Sequence, residues 1–144
     1  MKQTMLIPEY VEYIPEQLAD GRLYICTQYK TIAHKCCCGC GEEVITPLSP
    51  AEWSIRQEGK TVTLYPSIGN WSFKCQSHYW ISKNQVIWAK AMSQQEIKRV
   101  RERDAADKAK HIVHINQKKE AQVIKESKSF IKCLWMRFIT WINQ

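Results

Sequence analysis

The sequence predicts an α+β protein, with a small β-rich domain in residues 1–92 and a helical tail in residues 93–144. Three observations support this prediction. Short runs of alternating apolar and polar residues, separated by turn residues, fill the first part and are typical of strands. The second part contains neither Gly nor Pro and begins with a helix-capping pattern. Most of the cysteines lie in the first part, where a small domain would use them to compensate for a limited core.

The strand pattern predicts two hairpins in the first domain. Residues 53–56 and 61–65 alternate on either side of a Gln-Glu-Gly-Lys turn, and residues 79–81 and 86–89 flank a Ser-Lys-Asn-Gln turn. Further strands are predicted at residues 22–27 and 43–46. These elements are short, so we expect the domain to need a staple in addition to its apolar core.

Two short clusters hold five of the seven cysteines and two of the four histidines. Residues 34–41 read His-Lys-Cys-Cys-Cys-Gly-Cys-Gly, and residues 75–78 read Cys-Gln-Ser-His. Thiolate and imidazole are the ligands that zinc prefers, and a tetrahedral site needs four of them. Three consecutive cysteines cannot readily form disulfides with one another, and their total is odd. The sequence therefore predicts one zinc ion, whose closed ligand shell favours a structural role.

The predicted zinc ligands come from both clusters: they are Cys38, Cys40, Cys75 and His78. Cys36 is the first alternate, because side-chain alternation would direct it to the same side as Cys38 and Cys40 and direct Cys37 away. His34 is a further alternate; it could equally be a hydrogen-bonding neighbour of the site or a surface residue.

Four strings of residues carry a resemblance to a known family. They are His34-x-Cys36-x-Cys38-Gly39-Cys40-Gly41, Thr46-Pro47-Leu48, Pro66-Ser67-Ile68-Gly69-Asn70-Trp71 and Cys75-x-Ser77-His78-Tyr79-Trp80-Ile81. Over about residues 8–90 the sequence resembles a family of small bacterial Cys/His metal-binding proteins encoded beside ubiquitin-like modifiers and their E1- and E2-like enzymes. The resemblance implies a role in bacterial ubiquitin-like conjugation and in defence against phage, with E1-like, E2-like or modifier proteins as partners.

Two classes of function fit these features. The first is a non-catalytic zinc-binding adaptor that acts by binding proteins of the pathway, and this is the function we expect. The second is an enzyme of the same pathway, either a thiol-dependent ligase or a peptidase that removes the modifier. A ligase would need an exposed thiolate outside the metal shell, for which Cys36 and Cys37 are the candidates. A nucleic-acid-binding zinc protein is a third hypothesis, because the tail is basic.

The tail carries nearly all of the positive charge. Residues 96–144 hold 12 Lys and Arg against 6 Asp and Glu, a net charge of +6, whereas residues 1–95 have a net charge of +1. Ser93 and Glu96 form a capping box that predicts a helix start, and a long basic helix follows. Large apolar residues then recur over residues 130–142 as an amphipathic stripe, which predicts docking on protein or self-association, with contact to a membrane surface as the alternative.

The first residues show no signal-peptide pattern, and no stretch approaches the roughly 20 apolar residues of a membrane span. Together with the thiol-rich clusters, this predicts a protein of the cytoplasm.

Overall fold

The computed structural model describes the backbone of residues 1–142 and the side chains of residues 1–128, 130 and 131. In this part of the chain, nine strands precede one long helix. The strands are β1 (Ile7–Tyr10), β2 (Arg22–Cys26), β3 (Thr31–Lys35), β4 (Glu43–Pro47), β5 (Ser54–Glu58), β6 (Thr61–Tyr65), β7 (Ile68–Gly69), β8 (His78–Ser82) and β9 (Gln85–Trp88), and the helix is α1 (Gln94–Ile142). The predicted α+β class is confirmed.

The strands form three small sheets. In the first sheet, β1 to β4 lie in chain order, with β1 parallel to β2 and the other neighbours antiparallel. The β5–β6 hairpin forms the second sheet, and β7, β8 and β9 form an antiparallel third sheet. Both predicted hairpins are present. The turn of the β8–β9 hairpin consists of Lys83 and Asn84, whose positive φ angles of 49° and 69° match the twist of the strands.

One main apolar cluster supports all three sheets. Its buried members are Leu6, Leu23, Ile25, Ile32, Cys36, Cys37, Val44, Val62, Leu64, Ile68, Tyr79, Ile81 and Val86. Because side chains alternate along a strand, β8 directs Tyr79 and Ile81 into this core and turns His78 and Trp80 to its other face. The other face of β8 is therefore available for a functional site.

The helix begins where the capping box predicts. The backbone N–H of Glu96 donates to Oγ of Ser93 at 3.3 Å, and the carboxylate of Glu96 accepts from the backbone N–H of Ser93 at 2.8 Å. From Gln94 the helix continues without interruption to Ile142, so the predicted long basic and C-terminal segments belong to one helix rather than two.

The chain divides into two compact units, Met1–Arg101 and Glu102–Gln144. The first unit includes the opening turns of α1, where Ile97 is buried. The amphipathic stripe predicted over residues 130–142 falls mostly on side chains outside the described residues; Phe130 and Ile131, its two described members, are exposed. Among the described residues, no helix is long and apolar enough to cross a membrane.

Candidate metal centre and active site

Four cysteine sulfurs form a compact group with the dimensions of a metal site. The Sγ atoms of Cys36, Cys38, Cys40 and Cys75 all lie within 4.8 Å of one another. Cys36 Sγ lies 3.4 Å from Cys38 Sγ and 3.9 Å from Cys75 Sγ, and Cys40 Sγ lies 3.8 Å from Cys75 Sγ. A tetrahedron with Zn–S bonds of about 2.3 Å has S···S edges of about 3.8 Å. The four sulfurs therefore lie close enough together to hold one metal ion.

A tight backbone turn brings three of these sulfurs together directly after β3. The N–H of Cys36 donates to the carbonyl of Glu42 at 2.7 Å, and the N–H of Gly39 donates to the carbonyl of Cys36 at 3.0 Å. Gly39 and Gly41 have φ angles of +83° and +87°, a conformation that other residues rarely adopt. The glycines of the cysteine cluster are therefore explained by the turn that they permit.

Buried polar side chains surround the sulfur of Cys36. The Oγ of Ser77 lies 3.1 Å from Cys36 Sγ and 3.5 Å from Cys75 Sγ. The side-chain amide of Asn70 donates to Ser77 Oγ at 2.9 Å and to Cys36 Sγ at 3.4 Å. Such hydrogen bonds orient metal ligands and stabilise thiolate charge. Asn70 and Ser77 therefore belong to the metal centre although neither contributes a ligand.

The structure brings together three of the four predicted ligands, Cys38, Cys40 and Cys75, and adds the alternate Cys36. His78, the fourth predicted ligand, is not a member of this group. Cys37 is not a member of the group either, and its side chain lies in the main core.

The remaining two cluster residues, His34 and Cys37, are both buried in the core. His34 Nε2 lies 2.8 Å from the hydroxyl of Tyr79, and burial lowers the pKa of His34 to about 3, so the ring is neutral. Burial raises the pKa of Cys37 to about 12. The hypothesis that Cys37 is an exposed thiolate is therefore wrong, and Cys36 is likewise buried within the sulfur group.

The histidine left out of the sulfur group faces a serine. His78 Nε2 lies 3.0 Å from Oγ of Ser67, within the range expected for a nucleophile and its general base. Ser67 immediately precedes β7, His78 opens β8, and Gly69 pairs with His78 in the register of the two strands. The sheet itself therefore holds the serine and the histidine side by side.

Two tryptophan rings lie beside the ring of His78, and both Ser67 and His78 remain partly accessible to solvent. The ring centroid of Trp71 lies 5.0 Å from that of His78, and the centroid of Trp80 lies 5.3 Å from it. His78 and Ser67 are half-buried. Burial lowers the pKa of His78 below its usual value of 6.5, so at neutral pH the imidazole is uncharged and able to accept a proton. Among the described residues, the hydroxyl of Ser67 is the only serine hydroxyl that is hydrogen-bonded to a histidine ring.

Residues 10–89, more than half of the chain, match the family described as bacterial ubiquitination-like system serine protease, BubE. The chain belongs to this family. No curated protein and no solved structure matches the chain. The matched region includes the four cysteines of the sulfur group, Ser67 and His78.

The BubE family match corrects the expected function. The link to a bacterial ubiquitin-like system is confirmed. The expected non-catalytic zinc adaptor is wrong, because the family is one of serine proteases; the alternative of a peptidase in the same pathway agrees with it. The physical reason for the error is that a Cys/His-rich pattern indicates a metal site and carries no information about a second, metal-free site beside it.

Sequence reasoning missed Ser67. The string from Pro66 to Trp71 contributes to the family resemblance, but no role was predicted for its serine. Ser67 lies outside any Gly-x-Ser-x-Gly pattern, so no familiar nucleophile motif marked it. One available signal for a catalytic site was that the two clusters contain more candidate ligands than one metal ion needs. A histidine that does not bind the metal is free to act as a base.

Proposed function

We propose that this chain is a serine protease of a bacterial ubiquitination-like system, with Ser67 as the nucleophile and His78 as the general base. The observation that carries the proposal is the 3.0 Å separation of Ser67 Oγ and His78 Nε2 in a chain of the BubE family. Serine hydroxyls are weak nucleophiles, and an adjacent neutral imidazole is the usual means of activating them.

In the first half of the reaction, Ser67 Oγ attacks the carbonyl carbon of the scissile bond while its proton passes to His78 Nε2. The tetrahedral intermediate then expels the leaving group, which takes the proton from His78. The products are an acyl-enzyme ester on Ser67 and the released amine or alcohol.

In the second half, water replaces the leaving group. His78 Nε2 takes a proton from the attacking water, the Ser67 ester bond breaks, and Ser67 Oγ recovers a proton from His78. The carboxylate of the acyl fragment is released. The enzyme returns to its initial protonation state.

The four-cysteine group supports this site as a structural metal centre, with zinc as the metal that we propose. Cys36, Cys38, Cys40 and Cys75 would hold the ion, which supplies a cross-link and no reactive chemistry, because four thiolates leave no open coordination position. Cys75 belongs to the loop between β7 and β8. A cross-link at Cys75 therefore limits the motion of the segment that connects Ser67 to His78.

The pathway suggests the substrate class. We propose that the scissile bond lies at the C-terminus of a ubiquitin-like modifier, either in its precursor or in its conjugate with a target. The chain would act in the cytoplasm, because the free thiols of the metal centre need a reducing compartment.

Labelling with a fluorophosphonate probe tests the proposal. The probe forms a covalent bond with an activated serine, so we expect it to attach to Ser67 in the full-length protein, located by mass spectrometry of the digest. The S67A and H78A variants should lose labelling, whereas S72A, which changes an exposed serine of the loop between β7 and β8, should retain it. Labelling of a different serine, or none in zinc-loaded wild type, would overturn the assignment.

A further inference from the structure

Within the part of the chain that the structure describes, the second ring nitrogen of His78 has no hydrogen-bond partner. Nδ1 of His78 is buried, and no atom of the described residues bonds to it. In a serine–histidine–aspartate triad a carboxylate occupies this position and fixes the rotation of the ring. Without one, a half-buried imidazole on a strand would be free to turn away from the nucleophile unless another contact held it.

We propose that Trp71 and Trp80 are positioning residues that hold the imidazole of His78 toward Ser67, in place of a carboxylate. This inference rests on the proposed function, and it names the part of the site that keeps the general base in its productive orientation. Neither indole takes part in the proton transfer.

The ring geometry supports this role. The Trp71 indole is tilted by 59° to the His78 ring at 5.0 Å between centroids, and the Trp80 indole by 39° at 5.3 Å. Both distances lie in the range of attractive aromatic pairs. The ring of His78 therefore has two aromatic contacts and one hydrogen bond, the latter to Ser67 Oγ.

The strands that carry His78 also place the two indoles beside it. A Cβ atom added to Gly69 would collide with the indole of Trp71, so this ring lies directly against the backbone of the residue that pairs with His78. Trp80 follows His78 by two positions on β8, so both side chains leave the same face of the strand. The Trp71 indole is therefore placed by the same β7–β8 pairing that brings Ser67 to His78, and the Trp80 indole lies beside His78 on the same face of β8.

The chemistry of an aromatic support differs from that of a carboxylate. A carboxylate stabilises the imidazolium and raises its pKa, whereas the burial seen here lowers the pKa of His78. No charged side chain among the described residues is hydrogen-bonded or ion-paired to this ring. The aromatic contacts restrict its rotation without adding a negative charge.

Leucine and phenylalanine variants of the two tryptophans test the inference. We expect W80L and W71L to lower kcat for p-nitrophenyl acetate about 10–100-fold with little change in KM, because a small displacement of a catalytic group slows the chemical step. W80F and W71F, which keep an aromatic ring, should retain kcat within about 3-fold of wild type. The control is I45A, which removes an exposed side chain on β4 and should leave kcat unchanged. The rate measured with S67A is subtracted from every rate as the background, because free thiols also react with this ester.

A second measurement does not depend on activity. With ¹⁵N-labelled histidine, the ring signals of His78 in wild type should report one tautomer, with the proton on Nδ1, and W80L should shift them toward a mixture. Trp80 is 40% exposed, so W80L should fold even if W71L does not. Unchanged ring signals together with unchanged kcat in W80L, or a rise in KM alone, would overturn the positioning role. Full esterase activity in S67A would instead overturn the proposed function, and the ring signals would still report on the tryptophans.

Discussion

His78 Nε2 lies 3.0 Å from Ser67 Oγ, and the two residues are neighbours because β7 and β8 pair with Gly69 opposite His78. The same loop between these strands carries Cys75, whose sulfur belongs to the four-cysteine group. The proposed catalytic pair and one of the four sulfurs of the candidate metal centre therefore belong to a single chain segment that folds back on itself.

Removal of either member of the pair should abolish most activity. We expect S67A to eliminate turnover of p-nitrophenyl acetate above the thiol background, and H78A to lower kcat/KM by about 10²–10⁴-fold, the usual contribution of a general base. The esterase rate is measured on protein whose zinc content and circular dichroism match wild type. Activity of S67A equal to wild type would exclude Ser67 as the nucleophile.

The pH dependence should report the histidine. Burial lowers the pKa of His78 from 6.5, and only the neutral ring can accept the proton of Ser67. As pH falls through the folded-state pKa the ring becomes protonated and kcat/KM declines, so the midpoint of the acidic limb should lie below 6.5. The kcat/KM profile is recorded over a pH range in which zinc content stays constant. An acidic limb with its midpoint above 6.5 would contradict the burial argument.

The metal ligands can be distinguished by substitution. We expect one zinc ion per chain, retained in H78A and lost in C36S, because the sulfur group contains Cys36 and does not contain His78. C26S is the matched control, since Cys26 is a buried cysteine outside the group. Metal content is measured by atomic emission after gel filtration. Loss of zinc from H78A with retention in C36S would restore the ligand set that the sequence alone favoured.

The buried amide of Asn70 should strengthen metal binding. Its hydrogen bonds to Ser77 Oγ and Cys36 Sγ lie just outside the ligand shell, where such partners are typically worth about 10–100-fold in metal affinity. We expect N70A to weaken zinc binding by that factor in competition with a chelator, and Q94A, which changes an exposed amide, to have no effect. Equal zinc affinities of N70A and wild type would show that the Asn70 amide contributes packing and does not strengthen metal binding.

The apolar stripe of residues 130–142 should bind protein. Seven large apolar side chains on one helix face exceed what monomers usually expose, so a chain that ends at residue 129 should change oligomeric state or solubility in light scattering. Attachment to a membrane surface predicts a different result, namely co-sedimentation with anionic vesicles that depends on Trp135, Phe138 and Lys132. A truncated chain with unchanged assembly and unchanged vesicle binding would leave the stripe without either role.

Local patterns determined most of the fold. The alternation and turn residues of the two hairpins, and the capping box at Ser93 and Glu96, were readable because strands, turns and helix starts depend on residues close in sequence. The candidate metal site was predictable for the same reason, since three of its four cysteines lie within five consecutive residues.

The tertiary structure decided which residues share a site. Cys75 and His78 are three residues apart, yet Cys75 lies in the loop before β8 and joins the sulfur group, whereas His78 opens β8 and faces Ser67. That division depends on the register of β7 against β8, which is set by the burial of Ile68 and Tyr79 in the core. The sequence by itself predicted an α+β protein with a candidate metal site; the pairing of two strands separated that candidate site from the serine–histidine pair.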